Sequence, residues 1–434
     1  MTTLHLRTSE SQRAPSSGLL LDWFGRGGAS TVSGSVLDLA RDLGTPMAPY
    51  VDLLGLAVGA YGADKAVLRK QTPDRWTRRL NLHVPVTESA RWAAASSAFS
   101  EALAYLTSDE WRIRFRSSGP RGAQTEVTGP SAFDTVSLFS GGLDSLVGAI
   151  DLLEAGHTAV LVGHYDSNPL RPRQESLFER LRDAYGADRV IYRPFYIRPL
   201  GPKSAQLRPL PADREPSTRS RSFLFIGAAA VTASAAGTAV VYVPENGYIG
   251  LNVPLEPNRL GACSTRTTHP HFLLLLGDAL AEAEIDLAIE NPYRLKTKGE
   301  VLEQCRNRKL LFELAPRTVS CAHPEVGRWS QKGYANCGYC YPCLMRRVAL
   351  HHVGADDASH YRFDVARPGF LSRRGRKTEH LRAILQSLER PAGRTDILTG
   401  GPLPRGETAA FGGLYERGRN EIRAWLAAAM PASA

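Results

Sequence analysis

Cysteine is scarce in this chain and missing from its first 262 positions; the six present all lie in the second half. An N-terminal thiol nucleophile of the kind glutaminase domains use is therefore not expected. No apolar run opens the sequence, where His5 and Arg7 come early, so no signal peptide is predicted. One uncharged stretch, Phe223 to Val243, has the length of a membrane span. It consists mainly of Ala, Gly, Ser and Thr, contains Gly237 and ends at Pro244-Glu245, a composition that predicts a buried helix, a glycine turn and a parallel strand instead. No membrane partner is expected. Internal repeats and low-complexity tracts are absent. No aromatic residues alternate with the charges of the densest basic cluster, Arg373 to Lys377, so a stacking surface for nucleic acid is not supported and nucleic acid is not an expected partner.

What is present describes a soluble globular protein: 434 residues, 43% hydrophobic and 22% charged, with room for two or three domains. The net charge of +10 arises from 53 basic and 43 acidic residues and favours anionic partners such as ATP, RNA or an acidic protein. Its densest cluster, Arg373 to Lys377, reads as a solvated loop.

The chemistry gathers around Ser140-Gly141-Gly142-Leu143-Asp144-Ser145. A β-branched and apolar run, Thr135 to Phe139, precedes these residues, and a helix-compatible segment beginning at Leu146 follows them. Strand, paired glycines and helix N-terminus together make an anion site, because the glycines let the backbone approach a polyphosphate and the free N–H groups of the first turn point at it. Ser140 and Ser145 add hydroxyl donors. Asp144 suits either holding Mg²⁺ against phosphates or ordering the loop. The Gly-Lys-[Ser/Thr] of the Walker loop is missing. The six residues resemble the PP-loop of the N-type ATP pyrophosphatases, which adenylate a substrate and release pyrophosphate. That resemblance makes Phe139, Ser140, Gly141, Gly142, Leu143, Asp144, Ser145 and Leu146 the expected ATP-binding residues.

Residues 1–116 read as a smaller α+β domain. A helix is predicted over Pro49 to Ala63, a strand through Leu80, Leu82, Val84 and Val86, one helix from Glu88 to Leu106, and a strand from Trp111 to Phe115. These stripes are core without a catalytic constellation, which suits an accessory, partner-docking unit. Residues 117–133 are a Ser-, Gly- and Pro-rich linker. From 134 to 355 the pattern is that of βα units building a parallel sheet with helices on both faces. It is interrupted by a loop, Arg198 to Ser217, with five prolines. Residues 356–434 form a C-terminal helical extension.

Cys337, Cys340 and Cys343 repeat at intervals of three, with Cys321 upstream. This spacing suits tetrahedral Zn²⁺ held by thiolates in a reducing compartment, and a cytoplasmic location is expected. A redox CxxC pair is the alternative, and His323 a weaker substitute for Cys321. Cys263 and Cys305 are expected to be buried thiols.

PP-loop and Cys₄ pattern together resemble the 7-cyano-7-deazaguanine synthase (QueC) family over about residues 134 to 355. Tyr165-Asp166 with Gln174-Glu175, the helix start Thr218 to Leu224 and Lys296-Thr297-Lys298-Gly299-Glu300 match in chain order. The likeness implies an adenine nucleotide α-hydrolase-like fold, with ATP, Mg²⁺ and Zn²⁺ as cofactors. It further implies adenylation of 7-carboxy-7-deazaguanine followed by nitrogen attack. In that frame Lys298 with Arg219 or Arg221 would neutralise phosphate charge. Glu245, at the mouth of a strand, would accept from a guanine edge, with Asp166 and Arg266 as further substrate-binding candidates. The fifteen residues between Cys321 and Cys337, the N-terminal domain and the altered stretch after Tyr242 depart from the family pattern. This combination is similar to the QueC-like proteins of bacterial anti-phage operons (the QatC type), which implies an amine acceptor on a partner protein from the same operon. The rival readings are a queuosine-pathway synthase using ammonia, a tRNA-modifying PP-loop ligase or thiolase, and a nucleotide sensor without catalysis.

Overall fold

The structure, a computed structural model, describes residues 1–24, 29–36, 38–118, 132–165, 170–255, 266–324, 326, 336–372 and 375–430. The N-terminal third contains strands β1 (Thr2–Arg7), β2 (Leu19–Asp22) and β3 (Val32–Gly34), helix α1 (Ala48–Ala66), strand β4 (Arg79–Val86), helices α2 (Ser89–Ala94) and α3 (Ser96–Thr107), and strand β5 (Glu110–Ser117). Four of these strands form a sheet in the order β2-β1-β4-β5, and every pairing is parallel. The expected α+β unit is thus an α/β one. Alternation of Leu80, Leu82, Val84 and Val86 announces a strand but not its direction; α2 and α3 carry the chain back across the sheet, which makes β5 parallel to β4. The single helix expected from Glu88 to Leu106 is two, meeting at Ala95.

The second sheet and its helices come from the run β6 (Thr135–Leu138), α4 (Leu143–Glu154), β7 (Ala159–His164), α5 (Arg171–Tyr185), β8 (Val190–Phe195), β9 (Ile197–Pro199), α6 (Arg221–Ala236), β10 (Val240–Tyr242), α7 (Gly247–Gly250), α8 (Pro270–Glu282), β11 (Ala288–Glu290), α9 (Lys298–Glu303) and α10 (Arg308–Leu314), with β9 outside the sheet. Its order, β11-β10-β6-β7-β8, is parallel throughout. The chain enters at the centre, proceeds outward through β7 and β8, then returns to the other side of β6 with β10. The strand order therefore reverses between β6 and β10, and a crevice opens beyond their carboxyl ends. The uncharged stretch from Phe223 resolves as expected into α6, a left-handed Gly237 (φ 74°) and β10. Among the described residues no helix is long and apolar enough to cross a membrane.

Residues 1–116 share one hydrophobic core with the second sheet. Leu53, Leu56 and Ala57 of α1 and Phe99 of α3 are buried together with Phe223, Ile226 and Ala230 of α6, Phe272 and Leu276 of α8, and Val136 and Val160 of the sheet. Close approach of α1 to α6 depends on Gly227, where a Cβ would stand 2.9 Å from that of Ala57. The proline-rich loop serves as a strap: β9 pairs antiparallel with β3, and Arg208 donates to the carbonyls of Pro15, Ser16 and Gly18. Helices α11 (Tyr341–His352), α12 (Arg376–Leu388), α13 (Arg394–Leu398) and α14 (Thr408–Ala429) follow. They pack around the cysteine cluster in a core of their own, with Leu344, Phe411, Leu414 and Trp425 buried in it.

Candidate functional site

The glycine loop lies at the carboxyl end of β6. Gly141 holds φ 79°, a conformation costly for any residue with a Cβ, and Gly142 caps α4. Ser140 Oγ accepts from the Gly142 N–H at 3.3 Å, and the Ser145 hydroxyl donates to the Gly142 carbonyl at 3.1 Å. Behind the loop, the fully buried Gln174 donates to the carbonyls of Ser140 and His164, both at 3.1 Å, and accepts from Tyr192 OH at 3.0 Å. This amide ties the loop to the end of β7. Ser140, Gly142, Leu143, Asp144 and Ser145 line a cavity of about 320 Å³. Phe139 and Leu146 do not line it; their side chains are buried core, because the strand and helix flanking the loop turn these positions inward.

Asp144 is the hub of the cavity. Its Oδ1 accepts from Lys298 Nζ at 2.6 Å, and its Oδ2 accepts from the Asn246 side-chain amide at 2.7 Å and backbone N–H at 3.3 Å. These contacts tie the first turn of α4 to the first residue of α9 and to the residue after Glu245. Lys298 reaches the loop because it is the first residue of α9, whose start is set by a capping box of Thr297 and Glu300. Asn246 was not singled out from sequence as a site residue. Its one signal was its place directly after Glu245 at a strand mouth.

Glu245 enters from the β10 side, half-buried, and accepts from the Thr268 hydroxyl. Burial pushes its carboxyl up to about 7, against the Thr268 hydrogen bond; the charge of Asp144 raises it further and that of Lys298 opposes. Asn291 fixes the backbone here, donating to the Glu245 carbonyl at 2.8 Å. The remaining walls include the polar Asn252 and Ser320 and an apolar, aromatic part made by Pro244, Tyr248 and Ile249, then Tyr341, Pro342 and Met345 of α11, and Tyr415 of α14. Tyr248 and Tyr415 stack with centroids 5.6 Å apart at 14°. Polar donors at one end and flat apolar walls at the other suit a ligand with an anionic part and a planar part.

Arg219 and Arg221 do not line the cavity. Arg219 precedes α6 on the side facing the N-terminal third, where it donates to the Thr107 carbonyl at 3.1 Å and lies 4.2 Å over the Trp76 ring. Burial, and then the charge of Arg69, lower its guanidinium to about 10. Nearby, Arg78 pairs with Asp64 and Asp109 at 2.6 Å each, and Arg69 with Asp109 at 2.8 Å. Asp64 also accepts from the Ser220 N–H at 2.9 Å, so this buried network anchors the start of α6. Arg221 stands 5.7 Å over Phe225. Arg266 lies 4.5 Å over Tyr105, donates to the Tyr105 carbonyl and is also outside the cavity lining. Asp166 and Cys263 fall outside the described residues.

The four expected cysteines meet. Sγ atoms of Cys321, Cys337, Cys340 and Cys343 all lie within 4.8 Å of one another, with Cys321–Cys340 at 3.9 Å and Cys337–Cys343 at 3.8 Å. A tetrahedron with metal–sulfur bonds of the zinc type has edges of about 3.8 Å, so the quartet can hold a metal ion such as zinc. Backbone N–H groups support the sulfurs: those of His323 and Cys337 donate to Cys321, and that of Cys340 to Cys337. His323 is not among the four; its ring stacks near Tyr339 instead. Cys305 is a buried thiol, pushed up to about 12 chiefly by burial. The quartet adjoins the glycine loop, because Val319 N–H donates to the Gly141 carbonyl at 3.0 Å two residues before Cys321. Asn336 braces that link, accepting from Ser320 N–H and donating to the Thr318 carbonyl, each at 3.1 Å. No protein-family model matches the chain, and no curated protein matches it.

Proposed function

We propose that this chain is an ATP-dependent carbon–nitrogen ligase of the PP-loop type, which adenylates a carboxylate, releases pyrophosphate and passes the acyl group to an amine. The observation that carries this reading is the convergence, at a sheet switch point, of a glycine loop, a lysine and a second carboxylate in one cavity. In this reading the N–H groups at the start of α4, with the hydroxyls of Ser140 and Ser145, hold phosphates. Lys298 neutralises charge growing on the α-phosphate and the departing pyrophosphate. Asp144 orders the loop, and the lone pairs left on its oxygens can share Mg²⁺ with the phosphates. The cysteine quartet would hold zinc structurally, since four thiolates fill a tetrahedral ion.

The resemblance of residues 134 to 355 makes 7-carboxy-7-deazaguanine the proposed acid, with Glu245 accepting from its N–H edge and the tyrosine walls covering its plane. The proposed acceptor is an amine on a partner protein from the same anti-phage operon. One observation favours a second reading, a synthase that uses free ammonia: residues 1–116 cover α6 and α8 and so have a structural task without any partner. The test is pyrophosphate release from ATP with 7-carboxy-7-deazaguanine, combined with intact mass of the operon's other proteins. An adduct of the deazaguanine mass supports the conjugating reading, free nitrile alone supports the synthase, and no pyrophosphate with this acid removes both.

A further inference from the structure

The C-terminal helix α14 lies outside the segment that carries the resemblance, yet it reaches the cavity. Tyr415 forms part of the wall, and on the same helix the buried carboxylate of Glu421 accepts from the Thr297 hydroxyl and from the Gly299 N–H at 3.3 Å. Thr297 and Gly299 are the two neighbours of Lys298. Arg417, one turn earlier, pairs with Glu300 and donates to the Leu295 carbonyl at 2.9 Å. Glu300 in turn closes the capping box on Thr297 N–H at 2.8 Å. The fit is tight: a Cβ on Gly299 would stand 2.6 Å from a Glu421 oxygen. An anionic acceptor at the first turn of a helix satisfies its free N–H groups and complements its dipole.

We propose that Glu421 is a positioning residue for Lys298, and that α14 is thereby a component of the ATP site. The inference rests on the reading of the cavity given above. Val301 and Leu302 bury one face of short helix α9 in the core, and the clamp from α14 acts on its first turn, so it fixes where the ammonium stands relative to the loop. Misplacement of such a group by about 1 Å costs on the order of a hundredfold in rate.

The test uses the full chain and a double-mutant cycle of Glu421→Ala with Lys298→Ala. Pyrophosphate release is one readout; reductive methylation of Lys298 by formaldehyde and cyanoborohydride, measured by peptide mass, is the other. Glu421→Ala should lower kcat about a hundredfold in the native background and no more than about twofold beside Lys298→Ala. Methylation of Lys298 should become severalfold faster. Glu421→Gln, which keeps an acceptor for Gly299, should restore most of both. If Glu421→Ala does not fold, Glu421→Asp, one methylene shorter, should show the same directions. An unchanged rate, or an equal loss in both backgrounds with Lys298 labelling unaltered, overturns the proposal. If the native chain releases no pyrophosphate, the ligase reading fails, while labelling alone still decides whether Glu421 holds Lys298.

Discussion

Lys298 Nζ and Asp144 Oδ1 stand 2.6 Å apart across the switch point, although 154 residues separate them in the chain. Both side chains are close to buried, exposed by only 13% and 10%, so each is the other's charge partner in a site largely shielded from water. Replacement of Lys298 by Ala should destabilise the chain by roughly 1–3 kcal/mol, the cost of leaving a hydrogen-bonded buried carboxylate short of a donor. It should also cut pyrophosphate release to a small residual rate, with ATP binding affected far less. Thermal melting beside a pyrophosphate assay checks this, and full turnover by the variant would take Lys298 out of the site.

Glu245 predicts a pH dependence with a definite sign. Its carboxyl titrates near 7 in the folded chain, above the usual carboxylate range, because burial disfavours the charge. The folded state then holds more protons than the unfolded one between about pH 4.5 and 7, so this group makes stability fall as pH rises through that window. Recognition of an N–H edge needs the ionised acceptor, so affinity for the deazaguanine acid should rise over the same window. Glu245→Gln should flatten both profiles. Calorimetric titration at several pH values would show it, and an affinity independent of pH in the native chain would move recognition to another group.

The cysteine quartet should carry about one equivalent of zinc, measurable by plasma mass spectrometry. Cys340→Ser should lose the metal and lower the melting temperature, because metal affinity at such sites is folding free energy. Pyrophosphate release should fall with it, since Val319 joins the segment before Cys321 to the Gly141 carbonyl. A metal-free chain with native stability and native turnover would rule the site out.

The shared core changes what deletion of residues 1–116 would do. A docking module on a linker could be removed cleanly. Here removal strips the cover from Phe223, Phe272 and Leu276, and the remainder should aggregate on size exclusion. A point change is the better probe. Phe223→Ala, at a ring 6.2 Å from that of Phe99, should cost about 3–5 kcal/mol in denaturant unfolding. A monomeric, folded chain lacking residues 1–116 would show that the two parts are independent after all.

The legible parts of this protein are those whose geometry is local. Ser140 to Ser145 is readable as a tight turn at the mouth of a strand because strand, glycine turn and helix start follow one another directly, and φ 79° at Gly141 is what that sequence allows. Cys337, Cys340 and Cys343 are readable because a spacing of three brings their sulfurs round one turn, and Cys321 joins them over the gap. Alternation of strands with helices likewise announced the parallel second sheet. Tertiary structure alone decided the rest. An arginine just ahead of a helix looks the same whether it faces a phosphate or a buried carboxylate network, and packing of α6 against α1 turned Arg219 toward Trp76 and Thr107. The direction of β5 depended on where α2 and α3 carry the chain, which hydrophobic alternation does not encode. Tyr415 and Glu421 carry no local pattern at all, and Asn246 only its place after Glu245. They meet Asp144, Tyr248 and the residues flanking Lys298 only because the sheet order reverses beside β6 and α14 folds back across its mouth.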